Sequence, residues 1–327
     1  MGTPGASSSA KLVRRATLEE GYGMRLAIHP DGHRWAAANH GAVTLYRDLE
    51  RTAQTEAPFA TDRIRFSDDG HRLLAAPYAY DLGHGRWEDL PLVDSQKLAA
   101  GLTKRPRGAF GVVNAAWSGD GRELLVYAEY RPPRGKETGA AWQGPTQRLL
   151  LLDGKTRAIR AVLREGHEGW GHSMALAVGR RVIAASGEQL DLWDRATHAH
   201  LGTLDRLAGV TRDLALSDDD RWLAIVTSDH RAALWDVEGR RAVAQWVAHD
   251  DDALATALAP AKRLVATGGN DGMVKLWSFS GQLLAVEPLG RPVEGLAFGA
   301  ADRLIAAHSG PGERLVVFDV ALDKSGP

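Results

Sequence analysis

Four short blocks, Leu192-Trp193-Asp194, Leu234-Trp235-Asp236, Leu276-Trp277-Ser278 and Val317-Phe318-Asp319, follow one another at intervals of 42, 42 and 41 residues. Each closes a stretch of alternating apolar character. Ahead of Trp277, Asp271-Gly272 separates two such stretches, which is a strong hairpin signal. A fixed period of this length marks a unit of four short strands, the blade of a β-propeller, and no amphipathic-helix period is sustained anywhere long. The expected fold is all-β.

Aligning the first strand, a tight turn, the second strand and the residue at the Trp position lays out seven units. Tyr46, Tyr80, Leu152, Trp193, Trp235, Trp277 and Phe318 fill that position. The turn between the first two strands recurs as Pro30-Asp31-Gly32, Asp68-Asp69-Gly70, Gly119-Asp120-Gly121 and Asp218-Asp219-Asp220. Asp and Gly tolerate the backbone angles of such turns, so the recurrence has a local cause. The seventh unit ends after its third strand, whereas residues 11–18 (KLVRRATL) form a strand with no first strand before it. The expectation is a seven-bladed propeller of four-stranded antiparallel blades, with residues 11–18 completing the C-terminal blade. Such closure removes exposed sheet edges. Residues 1–10 read as a disordered tail, 11–323 as one propeller domain and 324–327 as a second tail.

Two insertions break the period, at 92–111 and 131–147. In an up-down-up-down blade both emerge on the same face, where long loops are functional or disordered.

The repeats resemble the WD-repeat β-propeller family over essentially the whole chain, most specifically in units four to six. In unit six His249, Thr267, Asp271 and Trp277 stand in the order and spacing of that family's buried structural tetrad. The resemblance implies that imidazole, hydroxyl, carboxylate and indole lock the blade together. Unit five keeps Asp229 and Trp235 but carries Ile225 at the hydroxyl position, and unit four keeps Trp193 but has Gly187 at the Asp position.

Composition removes several kinds of chemistry. The chain contains no cysteine, which excludes disulfides and thiolate chemistry. Lys plus Arg (40) nearly balances Asp plus Glu (41), so no global field draws nucleic acid or an anionic membrane. No apolar run is long enough to span a bilayer, and a cytoplasmic protein is expected. The His249/Thr267/Asp271 set is read as scaffold, not as a catalytic triad. The closest histidine pairs, His29/His33, His167/His172 and His198/His200, lack the ligands of a metal motif. Asp250-Asp251-Asp252 lacks the spaced oxygen ligands and glycine of a calcium loop. No cofactor, metal or catalytic residue is expected.

What remains is a surface. The loop face is expected to present Trp170, His172, Arg212, Ser228, His230, Leu254, Asn270, Glu294 and His308, and Trp with Arg and His neighbours resembles the composition of binding hot spots. The expected function is a non-enzymatic scaffold whose partner is another protein or peptide, with no membrane or nucleic acid, acting alone or in a hetero-complex. Two alternatives carry their own residues. One is a propeller enzyme of lactonase or lyase type using His172, Glu294 and Arg212 at the channel mouth. The other is a phospho-ligand or nucleic-acid binder using a basic patch of Lys104, Arg105, Arg107, Arg131 and Arg134.

Overall fold

The computed structural model describes residues 10–18, 25–38, 40–60, 64–91, 93–103, 108–132, 144–166, 175–186, 189–206, 209–309 and 315–322. Seven four-stranded antiparallel sheets make a seven-bladed β-propeller. Six blades are consecutive in the chain, at 25–60, 64–87, 109–166, 175–206, 211–247 and 253–288. The seventh combines 293–322 with the N-terminal strand Ala10–Leu18, which pairs antiparallel with Leu315–Leu322 in a register that sets Leu12 opposite Val320. The two chain ends thus share one sheet, as the unmatched strand at the N-terminus requires. Among the described residues no helix is long and apolar enough to cross a membrane.

All seven residues aligned at the Trp position lie on third strands and face matching second-strand residues. Tyr46 pairs with Trp35, Tyr80 with Leu73, Leu152 with Leu124 and Trp193 with Ile183. Trp235 pairs with Leu223, Trp277 with Val265 and Phe318 with Leu304. All are buried. The strict repeat of this large-residue site explains the period, because a one-residue slip would move every such side chain to the opposite sheet face.

The molecule comprises two compact units. One spans Met1–Thr61, Arg212–Ser217 and Arg221–Pro327, and holds blades one, five, six and seven; the other spans Asp62–Thr211 and Asp218–Asp220, and holds blades two to four.

In the first unit, turns and first strands join neighbouring blades directly. The Ala300 N–H donates to the Gly32 carbonyl at 2.9 Å, and the Thr256 N–H donates to the Asp213 carboxylate at 3.0 Å. In the second unit, blade two is short, with strands of three, four, four and two residues. The segment after it makes up the deficit. The sequence reads 92–111 as a loop over one face; its described part, 93–103, is instead packed into the core of blade three. Asp94 caps a single helical turn, Ser95–Leu98, by accepting from the Lys97 N–H at 2.9 Å. Leu98 is buried among Leu74, Phe110, Trp117 and Ala128. Two buried arginines hold the backbone of the segment and its flanks. Arg148 donates to the Leu98 and Ala100 carbonyls and pairs with Glu165 at 2.6 Å. Arg157 donates to the carbonyls of Pro77 at 2.6 Å, Gly154 at 2.7 Å and Pro91 at 3.3 Å, and lies over the Trp117 ring. Burial lowers the Arg157 guanidinium to about 10, which leaves it charged at neutral pH.

Blade four shows a second substitution of parts. Its first turn, Gly179-Arg180-Arg181, has no aspartate of its own. In blades one to three, Asp31, Asp69 and Asp120 accept from N–H groups of their own turns. In blade four the carboxylate of Asp220 enters from another turn and accepts from the N–H groups of Arg180 at 3.0 Å, Arg181 at 2.5 Å and Val182 at 3.1 Å. A Cβ on Gly179 would collide with that carboxylate, so any other residue there would have to displace the group that holds the turn.

Candidate interaction face

On the first unit, three turns present side chains together: Thr227–Arg231 in blade five, the connection His249–Asp252, and Asn270–Gly272 in blade six. The tetrad fixes the connection. The Trp277 indole N–H donates to the Thr267 hydroxyl at 2.8 Å, and His249 Nε2 lies 2.9 Å from the same oxygen. His249 Nδ1 reaches both Asp271 oxygens, at 2.9 and 3.0 Å. A carboxylate can only accept, so Nδ1 carries the proton and the Thr267 hydroxyl donates to Nε2. Every bond runs one way, from indole to carboxylate. Burial holds the imidazole below its ordinary value, against the pull of Asp271. Burial also opposes ionisation of Asp271, but the Met273 N–H, the imidazole and the Asp250 N–H keep its carboxyl below the usual range. Gly269 is obligatory because the His249 ring occupies the place of a Cβ.

With His249 pinned, the next residues project outward. Asp252 accepts from the Arg212 guanidinium at 2.5 Å. Asp251 accepts from the Asn270 amide at 2.7 Å and from the Asp252 N–H at 2.7 Å. Those donors, in the order Asp252 then Asn270, lower the Asp251 carboxyl, with the nearby His230 adding to them. His230 has a positive φ of 70° and gives its carbonyl to the N–H groups of Ala248 and His249, at 2.8 and 3.1 Å. Donor atoms of His230, Asp251 and Asp252 lie within 4.8 Å of one another. Arg212 already neutralises Asp252 and Asn270 already fills Asp251, so the group is a braced polar cluster. It can offer a ligand fixed carboxylate, guanidinium and imidazole groups at little ordering cost.

The structure brings together Arg212, His230 and Asn270 from the expected set, with Ser228 in the same blade-five turn. Leu254 and Glu294 occupy the same place on the first strands of blades six and seven. Each is the extra residue where the ladder shifts register, between Ala253 and Ala255 and between Val293 and Gly295. A bulge of this kind re-aims its side chain, which explains why these positions align. His308 is buried beside Val293, its Nδ1 directed at the Ser309 carbonyl at 3.3 Å. Trp170 and His172 lie outside the described residues, as do Lys104, Arg105, Arg107 and Arg134 of the basic patch, of which Arg131 alone is described. Arg212 and Glu294, proposed together as part of an acid–base set, are not joined: Arg212 spends its guanidinium on Asp252. Sequence reading passed over Asp251 and Asp252, having weighed them only as a calcium loop. Their position directly after the tetrad histidine was the available signal.

Residues 241–278 match the family model described as WD domain, G-beta repeat. The match begins on the outer strand of blade five, Arg241–Val247, and ends on the third strand of blade six, Met273–Ser278. The sequence repeat is therefore offset from the blade by one strand, the same offset that sends the N-terminal strand to blade seven. Together with seven such sheets it defines a propeller of the WD class. The matched repeat and the seven sheets support a WD-repeat β-propeller, a class whose members are commonly interaction scaffolds and typically non-catalytic. No curated protein matches the chain.

Proposed function

We propose that this propeller is a non-enzymatic scaffold that docks another protein or peptide on the loop face of blades five to seven, through Arg212, His230, Asp251, Asp252, Asn270, Leu254 and Glu294. The observation that carries the reading is the braced cluster. Its charged groups sit on exposed turns, yet the tetrad and the Arg212–Asp252 and Asn270–Asp251 bonds fix their positions before any partner arrives. Preorganised polar groups add more to specificity and association rate than to bulk affinity. Near-balanced charge supports a protein partner over nucleic acid. The test is quantitative cross-linking capture with the wild type and an Arg212→Ala/His230→Ala variant of unchanged melting temperature. The variant is expected to lose most of the captured partner; equal capture by both removes this face as the docking site.

A further inference from the structure

We infer that Glu294 is the anchor for a lysine or arginine side chain of the docked partner, an inference that rests on the docking reading above. Other carboxylates on this face have donors: Asp252 has Arg212, Asp251 has Asn270, and Asp271 has His249 and two backbone N–H groups. Among the described carboxylates, half-buried Glu294 alone keeps a buried oxygen without a donor. Its Oε2 is buried and meets no hydrogen-bond donor. Arg25 donates at 3.2 Å to the backbone carbonyl of Glu294 and not to this oxygen. Nor does His308, whose Nδ1 is turned to Ser309.

A carboxylate oxygen removed from water without a donor destabilises the folded chain. Among the described residues the Glu294 side chain, unlike those of Asp31, Asp120 and Asp271, caps no turn and braces no neighbouring blade; the bond from Arg25 is to its backbone. Its place on the bulge of a first strand aims it away from the regular ladder. An ammonium or guanidinium group supplies both the charge and the N–H donors that this oxygen lacks, in a short charge-assisted bond. A neutral donor would leave the charge uncompensated. A metal ion would need further oxygen or nitrogen ligands, and Glu294 is in none of the ligand groupings among the described residues.

The experiment is selection of a phage-displayed random peptide library on the full chain, on Glu294→Gln, on Glu294→Met and on Arg212→Ala/His230→Ala. The wild-type pool is expected to fix one lysine or arginine, which the Gln and Met pools do not. A synthetic peptide from the wild-type pool should lose at least about tenfold in affinity when that residue becomes Met or when Glu294 becomes Gln, with no further loss when both change. Both Glu294 variants should melt at or above the wild type, since they relieve an unsatisfied charge. A wild-type pool without a fixed basic position overturns the inference, and so does Glu294→Met melting several degrees below wild type, which would give the residue a structural role. Peptides that need Arg212 and His230 but bind Glu294→Gln equally overturn it while leaving the docking face in place. Peptides indifferent to all the variants overturn both.

Discussion

Blade six and the junction of blades two and three are held together by opposite means. In blade six the central lock belongs to the repeat: His249, Thr267, Asp271 and Trp277 form one directional chain of hydrogen bonds inside a single period. At the junction nothing repeats. A short blade is completed by a segment from outside the period; buried Arg148 holds that segment by the Leu98 and Ala100 carbonyls, and buried Arg157 holds the flanking Pro77 and Pro91 carbonyls. The first device can be read from spacing. The second is visible only once the chain is folded, because a carbonyl acceptor carries no residue identity. The lesson is that a short blade can be completed from outside the period where a buried donor satisfies the carbonyls of the added segment.

The largest expected effect lies at the junction. Arg148→Met keeps the length of the side chain but leaves the Leu98 and Ala100 carbonyls without their donor and Glu165 without its partner. Glu165 is exposed and can turn to water, so the loss comes from the two orphaned carbonyls, about 1–3 kcal/mol each. Urea denaturation should show the two together, and hydrogen exchange should show residues 93–103 losing protection ahead of blade six. Exchange that rises equally in both regions would mean that the arginine supports the whole fold rather than the grafted segment. Thr267→Val in blade six removes one hydroxyl that serves two buried groups, the Trp277 N–H and His249 Nε2. The expected loss is about 2–3 kcal/mol by the same denaturation. A loss below about 1 kcal/mol would show that the tetrad contributes little beyond packing.

The fold was legible almost in full. The Trp-position residues, Asp-Gly turns and unmatched N-terminal strand each have a local or periodic cause, and each was found where the pattern puts it. What the pattern could not show were the parts acting between blades. Asp220 stands in line with Gly32, Gly70 and Gly121 and shares their positive φ, at 59°. By sequence alone it reads as one more turn residue, although its carboxylate serves the Gly179 turn of blade four. Residues 93–103 read as loop because the helical turn is a single one, below the length at which periodicity can be detected. The candidate face was legible as positions but not as partnerships. Alignment placed Arg212, Leu254 and Glu294 in one row. It could not say that Arg212 turns to Asp252, or that the Glu294 carboxylate lacks a donor.

Blade five offers the finest test of the comparison, because it has lost its lock without gaining a substitute. Ile225 stands where blade six has Thr267, and Leu207 stands 42 residues before His249. The consequence is physical: the buried Trp235 Nε1 has no acceptor. Ile225→Thr would supply one, recovering part of the about 1–3 kcal/mol that an unsatisfied buried donor costs. Against this, burying a hydroxyl in place of an ethyl group gives up about 1–2 kcal/mol of apolar transfer energy. The two terms nearly cancel, so the melting transition should move by less than about 1 kcal/mol while the Trp235 indole N–H gains protection from exchange in NMR spectra. That pairing of outcomes matters more than either alone. A protected indole with unchanged stability would mean that the hydroxyl is interchangeable with good packing wherever the histidine is absent, and that the tetrad's worth in blade six lies in the connected chain. An unprotected indole would mean that the blade-five backbone no longer holds the site in the geometry blade six retains.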